Sequence, residues 1–120
     1  MSEKLFALDK RGGVNPTIPM VRGVAASSSA KIYFQLALDI QKYKGIKYTL
    51  EITNAAFSGS EYIRLYAGDG NTLLQDLSKT AGTYTLNFDP TWTGFPKIVV
   101  YAHGTSQYGY VQLKDIEFLT

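Results

Sequence analysis

The clearest structural signal in the chain lies at residues 32–40, which have the sequence IYFQLALDI. Every second position of this stretch is apolar, from Ile32 and Phe34 through to Leu36, Leu38 and Ile40. Strict alternation of this kind is typical of a β-strand that is buried on one face, whereas a helix would need apolar residues at spacings of three and four. The stretch therefore predicts a strand.

The same alternation recurs along the chain between turn residues such as Lys44-Gly45 and the segment 68–71. Glycine and asparagine mark turns because they tolerate positive φ. We expect about eight strands and no helix, with the strands at residues 4–8, 32–40, 46–53, 62–67, 72–76, 83–89, 97–103 and 110–119. Many short strands at such spacings predict an all-β protein, an antiparallel β-sandwich.

The last of these strands contains a change of phase. Val111 and Leu113 are two residues apart, as are Ile116 and Phe118, but the step from 113 to 116 is three. A β-bulge near Lys114-Asp115 would return both pairs to the same face of the sheet. The sequence therefore predicts a bulge at that point.

The first 31 residues differ in composition from the rest, because residues 9–31 are rich in glycine, proline and small side chains. We interpret residues 1–31 as a first strand, Lys4–Leu8, followed by an extended N-terminal arm or long loop. The arm would reach a neighbouring subunit, and the alternative is a plain connection between strands. Residues 32–120 then form the sandwich, and the chain is a single domain overall.

Composition excludes several classes of function. The chain has no cysteine, so disulfides, zinc–thiolate sites and cysteine nucleophiles are ruled out. The net charge of +2 is too small to favour nucleic acid as a partner. We recognise no signal peptide and no apolar run that could span a bilayer, so we expect no membrane partner. We expect a virion or cell-exterior surface as the location, and a cytoplasmic location stays open.

Four segments carry a family resemblance: GIKYTL at 45–50, IRLY at 63–66, GTYTL at 82–86 and KDIEF at 114–118. Together they resemble the strands of jelly-roll carbohydrate-binding modules of the cellulose- and xylan-binding type. The resemblance covers residues 32–120. It implies jelly-roll topology, in which the first strand pairs with the eighth, the second with the seventh, the third with the sixth and the fourth with the fifth.

This topology divides the strands between two sheets and exposes two different outer faces. Strands one, eight, three and six would present an ordinary polar face. The other sheet would present tyrosines among hydrogen-bonding side chains. Sugars combine apolar C–H faces with hydroxyl groups, so such a surface suits them, and modules of this family bind glycans on the equivalent sheet. The candidate ligand-binding residues are Tyr33, Gln35, Tyr62, Arg64, Tyr66, Tyr101 and His103.

The tyrosines also fit two roles besides glycan binding. Tyrosine and arginine are enriched at protein interfaces, and tyrosine is common in exposed strands because aromatic residues favour the pleated surface. The expected partners are therefore a glycan or the protein subunits of a larger assembly, with a homo-oligomer among the possibilities. Our combined hypothesis is a carbohydrate-binding module displayed on a phage virion as a decoration or fibre protein. The alternative is a purely structural virion protein that uses this sheet as a subunit interface.

We expect no enzyme activity. His103 is the only histidine, and no serine or cysteine motif near it in the sequence suggests a triad. We expect no cofactor, and the family resemblance leaves one alternative open, because related modules often hold a structural Ca²⁺ at the aspartate of the closing strand. Asp115 matches that aspartate, and Asp9 or Glu3 could supply a second oxygen ligand.

The single tryptophan, Trp92, lies in a predicted loop at residues 90–96. Its side chain either plugs one end of the sandwich or forms an exposed contact.

Overall fold

The structure is a computed structural model that describes residues 15–120 of the chain. The predicted strand Lys4–Leu8 lies outside the described residues. Those residues form nine β-strands and no helix. The strands are β1 (Thr17–Ala25), β2 (Lys31–Ala37), β3 (Gly45–Thr53), β4 (Ala55–Ala56), β5 (Tyr62–Tyr66), β6 (Leu73–Asp76), β7 (Gly82–Asn87), β8 (Lys97–Gly104) and β9 (Gly109–Leu119).

The strands form two antiparallel sheets that pack face to face. One sheet has the order β1-β9-β3-β7, and the other has the order β2-β8-β5-β6, with the two-residue strand β4 paired to β8. Early strands pair with late ones: β1 with β9, β2 with β8, β3 with β7 and β5 with β6. This nested pairing is the jelly-roll arrangement. The predicted fold class is confirmed, with β1 in the place expected for Lys4–Leu8.

Alternate residues of the strands fill the space between the sheets, as the period-two pattern predicts. Fully burying one aliphatic side chain contributes ~1.5–3 kcal/mol relative to leaving it in water. A core built from both sheets therefore holds the two layers together. Its buried members include Ile32, Leu36, Leu38, Ile46, Leu50, Ile63, Leu65, Ile98, Val100, Val111, Leu113 and Ile116.

The prediction of an extended arm or loop does not hold for residues 17–25. They form β1, which pairs with β9 at the edge of the first sheet, from Thr17 to Ala25. Two of its inward-facing residues, Gly23 and Ala25, are small, so the apolar alternation that marks a strand is weak here. A methyl group added at Gly23 would lie 2.6 Å from Cγ2 of Ile32 and 2.7 Å from Cδ1 of Phe34. The facing sheet approaches β1 so closely here that a larger apolar residue has no room.

The predicted β-bulge in β9 is confirmed. The register between β9 and β3 shifts between Lys47 and Thr49. Asp115 has a φ of 51°, in the left-handed region. Leu113 and Ile116, on either side of the bulge, are each 0% exposed. The extra residue thus returns both side chains to the core, as the phase change in the sequence requires.

Candidate functional site

The outer side of the sheet β2-β8-β5-β6 carries a row of tyrosines. Tyr33 of β2 lies opposite Tyr101 of β8, and Tyr101 lies opposite Tyr62 of β5. Residues opposite one another in adjacent strands point to the same face of a sheet. The three side chains therefore stand side by side across three strands, and strand pairing alone brings them together.

The rings of this row contact one another edge to face. The ring centroids of Tyr33 and Tyr101 are 6.2 Å apart, and those of Tyr62 and Tyr101 are 5.6 Å apart. The ring of Tyr66, four residues further along β5, lies 6.1 Å from that of Tyr62. Such aromatic pairs contribute ~0.5–1.5 kcal/mol each beyond the area they bury. We call the surface formed by Tyr33, Tyr62, Tyr66 and Tyr101 the tyrosine face; Tyr33 is its most open member, at 56% exposed.

Arg64 is held in place beside the tyrosine face by three neighbours. Its guanidinium carbon lies 4.3 Å from the ring centroid of Tyr62. Its Nη1 donates to the hydroxyl of Tyr66 at 3.0 Å, and its Nε donates to Oδ1 of Asp76 at 3.1 Å. The guanidinium has five N–H donors. It can therefore keep these contacts and still donate to a ligand.

A cleft of about 200 Å³ opens between the tyrosines. Val99 is 4% exposed and forms part of its lining, so the bottom of the cleft is apolar. At its rim, Nε2 of Gln35 donates to the hydroxyl of Tyr33 at 2.8 Å. The complete lining is Tyr33, Gln35, Tyr62, Tyr66, Gly70, Asn71, Lys97 and Val99.

His103 lies at one end of the tyrosine face, opposite Lys31. Its Nδ1 is 2.8 Å from the backbone oxygen of Gly104, and its Nε2 is 3.0 Å from Oγ of Ser58. The tautomer of the ring sets which nitrogen donates and which accepts in these two contacts. These contacts orient the imidazole along the edge of the face.

Beside His103, Glu61 is a nearly buried carboxylate, with its side chain 6% exposed. Its Oε1 accepts the backbone N–H of Ser58 at 2.7 Å, and its Oε2 accepts a hydrogen bond from Nζ of Lys31 at 3.2 Å. The bond from Ser58 is the main reason that the pKa of Glu61 is lowered. The bond to Glu61 in turn raises the pKa of Lys31. This pair fixes one end of β2 to the segment before β5.

The hydroxyls of the tyrosine face supply part of its hydrogen-bonding capacity. Burial raises the pKa of Tyr62 above its usual value of 10.0. A neutral phenol can both donate and accept a hydrogen bond. The face therefore offers apolar rings, hydroxyls that both donate and accept hydrogen bonds, and one fixed cation, Arg64.

All seven sequence-predicted ligand residues lie on the outer side of the same sheet. The rings and the Arg64 contacts bring Tyr33, Tyr62, Arg64, Tyr66 and Tyr101 into one cluster, with Gln35 at its rim and His103 at its end. The prediction that they share a face is confirmed, and their binding of a ligand stays a prediction.

The sequence prediction omits several neighbours of this cluster. Ser58 and Glu61, the partners of His103 and Lys31, lie in the segment before β5. Their contacts depend on the geometry of that loop, which the alternation of apolar residues in strands does not predict. Asp76 and Lys97 could have been found from strand register, since they lie opposite Arg64 and Tyr66 respectively.

The predicted calcium ligands cannot be placed together. Asp9 and Glu3 lie outside the described residues. Asp115 is an exposed residue in the left-handed conformation that forms the bulge of β9. Within residues 15–120, no three acidic or histidine side chains are grouped so that they could hold a metal ion. In the described part of the chain, Asp115 therefore serves to form the bulge of β9. The calcium site stays a prediction.

The outer face of the other sheet has exposed polar residues on β7, as expected, and a paired cluster of polar side chains on β1, β3 and β9. Nε of Arg22 donates to Oε1 of Gln112 at 2.9 Å, and Gln112 in turn donates to Glu51. Lys114 also contacts Glu51, with Nζ 3.4 Å from Oε2. The guanidinium of Arg22 lies 4.4 Å from the ring centroid of Tyr110. Gln112 is only 4% exposed, so the polar groups of this cluster bind one another.

Comparison with family models, curated proteins and solved structures finds no match to this chain. The resemblance to carbohydrate-binding modules therefore depends on the four quoted segments alone. In the part of the chain that the structure describes, no helix is long and apolar enough to cross a membrane.

Proposed function

We propose that this protein is a non-catalytic, carbohydrate-binding-type module that binds a glycan on the tyrosine face. One observation carries the proposal: Tyr33, Tyr101 and Tyr62 occupy a single register level across three neighbouring strands. Aromatic side chains give a sugar a large contact area at low entropic cost. A row of them suits an extended ligand that lies across the strands.

The polar groups around the row support the same ligand class. A sugar ring has hydroxyls that both donate and accept hydrogen bonds. Tyrosine hydroxyls do both, and Arg64 donates from a fixed position. Gln35 at the rim adds an amide that does both. Specific sites for small ligands usually combine an apolar surface with a few such groups.

A second candidate function is structural, with the tyrosine face acting as an interface between subunits of a virion or similar assembly. Exposed apolar side chains close to this face favour it. Leu73 lies opposite Tyr66 at the sheet edge and is 45% exposed. Phe95, whose backbone packs against Gly68 in the turn after β5, is 58% exposed. We extend the first proposal to display on such an assembly, as a decoration or fibre protein.

The test is a glycan array probed with the protein and two matched variants. Tyr33→Ala removes the most open ring of the tyrosine face. Tyr108→Ala is the control, because Tyr108 is 54% exposed and its ring contacts Tyr110 edge to face at 6.5 Å, away from the tyrosine face. We expect Tyr33→Ala to weaken glycan binding roughly tenfold and Tyr108→Ala to leave it unchanged.

Two results would contradict glycan binding: no signal from any polysaccharide, or an equal loss in both variants. Light scattering on the same samples tests the second candidate. An oligomer that dissociates in Tyr33→Ala but persists in Tyr108→Ala would favour the subunit interface. Circular dichroism of each variant checks that the sheets are intact.

A further inference from the structure

A second cleft, separate from the tyrosine face, lies at one end of the sandwich. It has a volume of about 540 Å³, within the range typical of small-molecule sites. Its walls are the β2–β3 loop and the β7–β8 loop. The lining residues are Ile40, Gln41, Tyr43, Lys44, Phe88, Asp89, Pro90, Trp92 and Thr93.

Aromatic rings form much of this cleft. Trp92 is half-buried against the core, 6.5 Å from the ring of Phe88. On the opposite wall, Tyr43 stacks on Phe118 with a centroid distance of 5.1 Å. Trp92 therefore packs against the end of the core, as expected for a plug, and its remaining surface lines an open cleft. Flat apolar rings of this kind favour a ligand that is itself a ring.

The two walls are held together by backbone hydrogen bonds. The N–H of Phe88 donates to the carbonyl of Lys44 at 2.8 Å, which joins the β7–β8 segment to the β2–β3 segment. The N–H of Lys44 donates to the carbonyl of Leu119 at 2.7 Å. The cleft is thus part of the folded framework, and a ligand would not have to order it.

Lys44 gives the cleft an ammonium group that can bind an anionic substituent of a ligand. Lys44 is in the lining, and Nζ of Lys42 lies 6.0 Å from the ring centroid of Tyr43. Within residues 15–120, neither lysine has a carboxylate within 4.0 Å of Nζ. The one carboxylate of the lining, Asp89, already accepts the backbone N–H and hydroxyl of Thr91, both at 2.9 Å. The lining therefore carries one ammonium group, that of Lys44, and one carboxylate, that of Asp89, which is oriented by its own turn; Lys42 lies beside the lining.

We propose that this end cleft binds a small ring that carries a carboxylate, with the ring against Trp92 and the carboxylate near Lys44. A charged hydrogen bond is roughly twice as strong as a neutral one, so the acid group would supply much of the selectivity. Two sources share this chemistry, a sugar acid and an aromatic acid. The site uses none of the residues of the tyrosine face, so it does not depend on glycan binding there.

The fluorescence of Trp92, the only tryptophan in the chain, reports directly on this cleft. The titrants are glucuronate and benzoate, each compared with a neutral counterpart, glucose and benzamide. We expect one of the two acids to change the Trp92 emission saturably and its neutral counterpart to bind about tenfold more weakly. Which acid binds distinguishes the two sources.

Lys44→Gln is the variant and Lys47→Gln is the control, because Lys47 is an exposed lysine of β3 that does not line the cleft. We expect Lys44→Gln to weaken binding of the acid about tenfold and Lys47→Gln to leave it unchanged. Lys42→Gln is a second variant for the case that Lys44→Gln does not fold, and calorimetry repeats each titration without relying on emission. Equal binding of acid and neutral ring, equal effects of the two lysine variants, or no binding of either acid would overturn the proposal.

Discussion

At the scale of single residues, Glu61 shows how one buried charge organises the edge of the candidate site. Its carboxylate accepts hydrogen bonds from the backbone of Ser58 and from Lys31, and Nε2 of His103 lies 3.6 Å from its Oε1. Three separate segments therefore depend on one side chain that is 6% exposed. Buried carboxylates are retained only when they are paired in this way.

The lowered pKa of Glu61 gives the folded protein an acid-sensitive contribution to stability. As the pH falls below 4.5, the usual value, unfolded chains take up a proton at Glu61 before folded ones do. The free energy of unfolding therefore falls as the pH drops through the lowered folded pKa. We expect Glu61→Gln to be less stable than the parent at neutral pH and to lose less stability below pH 4.5. Urea unfolding midpoints over this range test it, and equally steep acid profiles would contradict it.

Gly23 carries a second prediction at this scale. A methyl group there would meet Ile32 at 2.6 Å, and Ile32 is 1% exposed and cannot move aside. Overpacking a core typically costs ~1–3 kcal/mol, so we expect Gly23→Ala to lower the free energy of unfolding by that amount. The control is Val24→Ala, since Val24 is 44% exposed on the outer side of the same strand. A loss in Gly23→Ala no larger than in the control would show that the two sheets can separate to accept the methyl group.

At the scale of elements, the bulge of β9 shapes its neighbour as well. In β1 the inward residues Ile18 and Val21 are three positions apart, and they lie opposite Ile116 and Leu113. The two strands share one change of phase, so their pairing continues through the bulge. The sequence of β9 predicts this feature, because its apolar residues are large. In β1 the inward residues after Val21 are the small Gly23 and Ala25, so the strand has few large apolar residues and is missed.

The conformation of Asp115 leads to a prediction about the bulge. Its φ of 51° lies in a region that is accessible to glycine and tolerable for aspartate, but strained for β-branched residues. We expect Asp115→Val to destabilise the protein by ~1–2 kcal/mol and Asp115→Gly to be neutral or slightly stabilising. Chemical denaturation of the two variants measures the difference. If valine and glycine had the same effect, the bulge would not constrain this residue.

At the scale of the whole molecule, the jelly roll pairs strands that are far apart in the sequence. β1 pairs with β9, which places Thr17 opposite Glu117 and closes a loop of nearly the whole described chain. Closing long loops costs entropy before any contact compensates for it. Stability is therefore shared between strands that are distant in the sequence, β1 with β9 in one sheet and β2 with β8 in the other.

This topology predicts slow folding. Proteins dominated by non-local strand pairing fold in roughly milliseconds to seconds. We expect stopped-flow refolding, followed by the emission of Trp92, to lie in that range. Refolding within microseconds would show that local contacts dominate instead. The emission suits this purpose because Trp92 packs against the core and changes its environment on folding.

Local sequence patterns were enough to predict the fold class, the inward residues of most strands and the bulge at Asp115, because each depends on a period of two. They also placed the tyrosines on one face, once the order of strand pairing was assumed. The folded chain alone reveals that Tyr33, Tyr101 and Tyr62 share one register level, that Glu61 and Ser58 meet His103, and that two loops enclose a cleft around Trp92. Register, loop contacts and cavities depend on residues distant in sequence, and no local period encodes them.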